Sequence, residues 1–193
     1  SASQGGAIYG LRSFIRVDEC EFNSNSADYG GAIFIQGANA KISGSDISEA
    51  SSKYDGGAIY VNGTNALISA DFTECNAENG GAIYVSGTNA NITDSTFQNC
   101  IAMDGGNGGA IFVAGMNTNV ENSKFNNVRT GDDGQGGAIY IEADLEQEST
   151  ATFGFCTFLD NFQGEGENRK MNYFAGPEVE EITSKYCVFN GTG

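Results

Sequence analysis

The chain has 193 residues, with 28 Gly, one Pro, nine Lys or Arg against 25 Asp or Glu, and a formal charge of -16. That length fits one domain with room for a sizeable core. The absence of His excludes a His-based triad, a zinc–histidine site and an imidazole acid–base step. The negative charge disfavours nucleic acid or an anionic membrane as partner, and no apolar run is long enough for a membrane-spanning helix. Collagen is excluded because Gly does not recur at every third position.

In chain order, Ser1-Ala2-Ser3-Gln4 has no signal-peptide pattern, and a repeat begins directly after it. Gly5-Gly6-Ala7-Ile8-Tyr9 is matched from Gly30, Gly56, Gly80, Gly108 and Gly136, at intervals of 25, 26, 24, 28 and 28 residues. A period in this range is the mark of a solenoid. A second apolar patch follows at Val17, Ile42, Ile68, Ile92 and Val120, and a third at Phe22, Ile47, Phe72, Phe97 and Phe125. The sixth unit keeps the pattern as Ile141, Phe153 and Phe158 after an acidic insertion (Glu142, Asp144, Glu146, Glu148). The long excursion from Gly164 to Lys170 precedes a seventh, degenerate unit ending Cys187-Val188-Phe189-Asn190.

The patches are rich in strand formers and too short for helices. Their separators, such as Gly63-Thr64-Asn65 and Gly87-Thr88-Asn89, are turn chemistry. Three short strands per unit predict an all-β fold, a right-handed parallel β-helix of about seven coils and roughly 34 Å in length. One domain covers 1–193, with regular coils over 5–161 and a loop plus degenerate coil over 162–193.

Stacking places residue n of one coil over its equivalent in the next. An Ile ladder (Ile8 to Ile139) and its period-two companions (Ile35 to Ile141) are read as facing inward, as is the Phe ladder. The other face of that first strand then carries Ala32, Ala58, Ala82, Ala110 and Ala138. It also carries six aromatics: Tyr9, Phe34, Tyr60, Tyr84, Phe112 and Tyr140. These form an exposed packing or binding stripe, unless the strand is reversed or a loop covers the stripe. The Gly-Gly pairs are assigned to a tight corner, and Asn39, Asn65, Asn89 and Asn117 to a second turn with coil-to-coil amide bonds.

Gly30-Gly31-Ala32-Ile33 and Gly136-Gly137-Ala138-Ile139, with Phe22-Asn23-Ser24-Asn25 and Phe158-Leu159-Asp160-Asn161, resemble the repeat pair of chlamydial polymorphic outer-membrane proteins and related adhesin-like right-handed β-helices. The resemblance covers most of residues 5–161. It implies a secreted surface protein or adhesin, often the passenger of an outer-membrane barrel. The middle coils depart from it, with Ala50, Cys75, Cys100 and Val128 in place of the second motif's Asn, and no barrel is present.

Cys75 and Cys100 hold equivalent positions in consecutive coils, as do Cys156 and Cys187. Both pairs are candidate disulfides; the competing reading is a stack of buried thiols. Asn62, Asn91 and Asn190 are candidate glycosylation sites by the Asn-x-Thr pattern. The turns 104–107 and 130–134 are acidic and glycine-rich, and read as solvated turns or structural calcium loops. No other cofactor is implied.

A polysaccharide lyase wants a basic outer face, and a hydrolase two carboxylates about 5–9.5 Å apart. Asp71 and Asp94 precede the Phe ladder by different offsets, so they do not align. The chain therefore reads as no enzyme. The first Gly-Gly at residue 5 leaves no room for a cap, which suggests a fragment or an end covered by another chain. The expected function is an extracellular or cell-surface structural protein. It assembles with copies of itself end to end into a filament, or serves as an adhesin stalk. The alternative is a carbohydrate-binding module that uses the aromatic ladder on surface glycans.

Overall fold

The computed structural model describes residues 2–103, 105–142, 150–164, 174–175, 181–185 and 187–190. Every strand pair described is parallel, and the pairs link each coil to the next in three sheets of six, seven and twelve strands. This is the all-β parallel β-helix that the glycine period predicts.

The six-stranded first sheet runs through Ala2–Gln4, Ser26–Tyr29, Ser51–Ser52, Asn76–Ala77, Ile101–Ala102 and Arg129–Thr130. The second holds the strand after each Gly-Gly, from Ile8–Gly10 to Ile139–Ile141, and ends on Phe174–Ala175. The third is bent. Lys41–Ser48 and Leu67–Thr73 cross it unbroken, whereas most other coils break it into two short strands, such as Asn91–Thr93 and Thr96–Gln98. The second and third apolar patches therefore share one sheet. The first sheet falls on a stretch that reads as turn, because its buried ladder is small: Ala27, Ser52, Ala77, Ala102 and Thr130. A search for large apolar residues passes over it.

Register follows the sequence repeat. Ile33 pairs with Ile8 and Ile59, Ile68 with Ile42 and Ile92, and Phe97 with Phe72 and Phe125. The Ile and Val ladders are buried, so their side chains form the core with the Phe ladder. Inside the third sheet the rings stack nearly parallel, with Phe97 4.9 Å from Phe72 and 4.7 Å from Phe125.

The two glycines of each corner are required for different reasons. The first is left-handed, at φ +65 in Gly56 and +60 in Gly80, where an L residue is strained. The second is wedged between coils. A Cβ on Gly57 would lie 2.0 Å from Gly81 O, and one on Gly81 2.1 Å from Gly109 O. Both contacts are with backbone, which cannot swing aside.

The alanines after these corners belong to the core, and not to the outer face with the aromatics. The amides of Ala32 and Ile33 both donate to Ala58 O, at 3.0 and 2.9 Å. The pleat has not begun at Ala32, so period-two alternation cannot be extended back to it.

The Asn turn is as expected. Asn39, Asn65, Asn89 and Asn117 have φ of 55–57. Asn65 donates to Asn39 (3.1 Å), Asn89 to Asn65 (3.2 Å) and Asn117 to Asn89 (3.2 Å), always Nδ2 to Oδ1. Left-handed Asn is tolerated, and Asn65 and Asn89 each accept from one neighbour and donate to the other.

Candidate functional site

The aromatic ladder lies on the outer side of the second sheet, one residue along from the inward Ile ladder. Its inner members stack face to face. Phe34 and Tyr60 are 4.9 Å apart at 6°, Tyr60 and Tyr84 5.0 Å at 8°, and Tyr84 and Phe112 4.9 Å at 13°. The end pairs, Tyr9–Phe34 and Phe112–Tyr140, tilt to 38°. Phe34 and Phe112 are buried at 5% and 4% exposure, yet lie outside the main core cluster. Tyr60, Tyr84 and Tyr140 are half-buried, and only Tyr9 is open, at 51%.

The expected exposed stripe is thus largely self-covered. A sugar stacks on the face of a ring, and from Phe34 to Phe112 each ring's faces meet its ladder neighbours. What the middle of the ladder offers to solvent is ring edges and tyrosyl oxygens.

Tyr29 and Tyr54 flank the stripe. Tyr29 lies 5.1 Å from Tyr54 and meets Tyr60 edge-on at 5.8 Å and 79°. Lys53 Nζ sits 4.6 Å over the Tyr54 ring, a cation–π contact. Beside them is Asp55, whose Oδ1 accepts from Asn79 Nδ2 at 3.0 Å. Burial raises the Asp55 carboxyl, against the Asn79 bond, which lowers it. Burial also raises the Tyr84 phenol, followed by the Asp55 charge. Asn79 Oδ1 accepts from the Asn107 amide, and Asn107 Oδ1 from the Gln135 amide. Asp55, Asn79 and Asn107 therefore form a second polar ladder, just before the glycine corner. The sequence shows it only when the residue before each Gly-Gly is compared.

All five cysteines stand as thiols. The two candidate disulfide pairs, Cys75 with Cys100 and Cys156 with Cys187, are arranged here as thiols packed along the rod. Cys75 and Cys100 are fully buried and bond to carbonyls: Cys75 Sγ to Thr73 O at 3.5 Å, and Cys100 Sγ to Gln98 O at 3.6 Å. Burial pushes the Cys100 thiol up, with the Cys75 sulfur adding to the effect. Burial likewise pushes Cys156 up to about 11. Cys187 Sγ approaches Phe153 O at 3.8 Å. In-register neighbours sit about 4.8 Å apart, at the short end for a disulfide, and a buried protonated thiol is a poor nucleophile.

The three sequons differ. Asn62 is exposed in the turn after Ile59–Val61. Asn91 is half-buried inside a strand, where its Oδ1 accepts from Asn119 Nδ2 at 3.2 Å. The side chain of Asn190 lies outside the described residues.

The structure also aligns carboxylates that a comparison of Asp71 with Asp94 misses. Glu21, Asp46 and Asp71 pair in register on the outer face of the third sheet. Counting back one residue from the Phe ladder in every coil finds them. All three are exposed, side by side in one environment, whereas acid–base catalysis needs two carboxyls in contrasting ones. Asp71 Oδ1 accepts from the Thr96 amide at 3.1 Å. Asp94 stands apart at a left-handed corner (φ 50) and accepts from Asn122 Nδ2 at 2.6 Å. Of the calcium-loop candidates, Asp104 lies outside the described residues, and Asp132 and Asp133 are exposed. Among the described residues no group of three or more His, Cys, Asp or Glu is placed to hold a metal ion.

With this geometry in hand, residues 19–36 match the model of the Chlamydia polymorphic membrane protein repeat. The chain is similar to that repeat. The matched span runs from the corner before Phe22 through Asn25 and the Gly30-Gly31 corner to the second-sheet strand Ile33–Ile35. No curated protein and no solved structure matches the chain. No helix among the described residues is long and apolar enough to cross a membrane.

Proposed function

We propose that this chain is a structural rod outside the cell, a stalk or filament segment whose role is mechanical. The observation that carries this reading is the continuity of the coils. Each is hydrogen-bonded in register to the next through three sheets and round the corners between them, as in Gly31 N to Gly56 O at 3.2 Å and Asn65 N to Thr88 O at 2.9 Å. The outer ladders of rings and amides are spent on one another, which suits a stiff support better than a converging reactive site. An acidic coat and a repeat like that of a surface-protein family support the extracellular setting.

The reading includes end-to-end assembly, in which the coils of one copy continue the parallel register of the next. Gel filtration with light scattering over a concentration series tests this: mass growing with concentration supports assembly, and a monomer at every concentration defeats it. A glycan-binding reading draws on the open face of Tyr9. It requires glycan-array binding that disappears on Tyr9→Ala.

A further inference from the structure

We propose that Asn62 is an acceptor for an N-linked oligosaccharide, and that among the sequons with described side chains it alone is placed to carry one. The turn following each second-sheet strand is stacked along the rod, with Gly37, Gly63, Gly87 and Gly115 in register. A Cβ on Gly63 would lie 2.0 Å from Gly37 O, and one on Gly87 1.9 Å from Gly63 O. Packing therefore dictates the glycine of Asn62-Gly63-Thr64.

Packing does not dictate its two flanking residues. Equivalent turns read Gln36-Gly37-Ala38, Ser86-Gly87-Thr88 and Ala114-Gly115-Met116, so neither Asn nor Thr is needed to form the turn. Both Asn62 and Thr64 are exposed. Their main-chain groups hold the coil together, with Asn62 N donating to Ile35 O at 2.8 Å and Thr64 O accepting from Asn39 N at 2.8 Å. The Asn62 carboxamide takes no part in the amide ladders. Asn91 is the contrast. Its carboxamide accepts from Asn119, and its in-register neighbours Leu67 and Asn119 flank it on either side. A glycan on Asn91 would have to leave between them.

The donor is a polyprenyl-pyrophosphate-linked oligosaccharide, handled by a membrane-bound transferase of the secretory pathway. The bond from the sugar's anomeric carbon to the pyrophosphate oxygen breaks, and its electron pair leaves with the lipid pyrophosphate. A C–N bond forms between that carbon and Asn62 Nδ2, which gives up one proton to a base of the transferase. No oxidation or reduction occurs. The glycan then stands two residues along from Tyr60, beside the half-buried edges of the aromatic ladder.

Modification in the native cell rests on the extracellular reading above, but acceptor competence does not. The chain, fused to a cleavable leader, is translated into microsomal membranes and also secreted from a eukaryotic cell. Both products are treated with peptide-N-glycosidase in heavy-oxygen water and mapped by mass. One oligosaccharide on Asn62 is expected. It is lost in Asn62→Gln and in Thr64→Ala, which keeps Asn62 and every main-chain bond, and is retained in Asn91→Gln. A bare Asn62 in the translocated chain, or a glycan on Asn91 with Asn62 bare, overturns the assignment. Surface biotinylation of the native cell tests the setting separately. A chain that accepts the glycan in microsomes but lies inside its own cell leaves the acceptor assignment standing and removes the extracellular function.

Discussion

Two aromatic ladders run along this rod, and they differ mainly in what lies beside the rings. Inside the third sheet, Phe72, Phe97, Phe125 and Phe158 stack at 4.7–4.9 Å and within 6° of parallel, ringed by the core. Outside the second sheet, Phe34, Tyr60, Tyr84 and Phe112 stack at 4.9–5.0 Å and within 13°, with the two tyrosines half-buried and the two phenylalanines buried. Strand register alone thus sets the stacking distance in both. Burial sets how much each ring contributes, since transfer from water dominates and ring–ring contact adds about 0.5–1.5 kcal/mol.

The largest effect is expected inside. Phe97→Ala opens a cavity between two rings and should cost about 3–5 kcal/mol in urea unfolding. Tyr84→Ala, at the same height on the outer ladder, should cost roughly half that or less. Equal losses at the two sites would break the comparison, because the outer ladder would then be a second core.

Next come the corners that hold both ladders in register. Asn89→Ala removes two amide bonds and places Ala at φ 56. A loss of about 1–2 kcal/mol is expected, and thermal unfolding measures it. A change within about 0.3 kcal/mol would mean that the amide ladder is decorative.

The smallest effect is expected at Asp55, beside the outer ladder. Its folded-state carboxyl titrates higher than in the unfolded chain, because burial disfavours the charge. Its contribution is fully present below the unfolded value of about 3.8 and is lost as pH rises through the folded one. Asp55→Asn keeps an acceptor for Asn79 and cannot ionise. Its melting temperature should match the parent's in acid and exceed it slightly at neutral pH. A variant that melts lower at neutral pH would show that the charge itself is stabilising.

The inner half of this comparison was legible in the sequence and the outer half only in part. Gly-Gly-Ala-Ile at steady spacing located the corners, the Ile ladder and the Phe ladder, because large apolar residues in register leave a strong period. It could not reveal the first sheet, where Ala27, Ser52, Ala77, Ala102 and Thr130 share only small size. It set the aromatics opposite the Ile ladder but left open whether that face is exposed, which depends on rotamers and on Tyr29 and Tyr54 from a neighbouring segment. It paired the cysteines by position and could not decide their bonding, since in-register neighbours suit a stack of thiols as well as a disulfide. The carboxylate row Glu21, Asp46 and Asp71 was present in the sequence and is found by aligning every coil rather than two aspartates.

Direct imaging of the purified chain tests the proposed end-to-end rod. Negative-stain electron micrographs taken over a range of concentrations should show unbranched rods of constant width, in lengths that are multiples of about 34 Å for seven coils at ~4.8 Å each. A field of single short particles at every concentration would contradict end-to-end assembly and return the function to a solitary stalk or binding module.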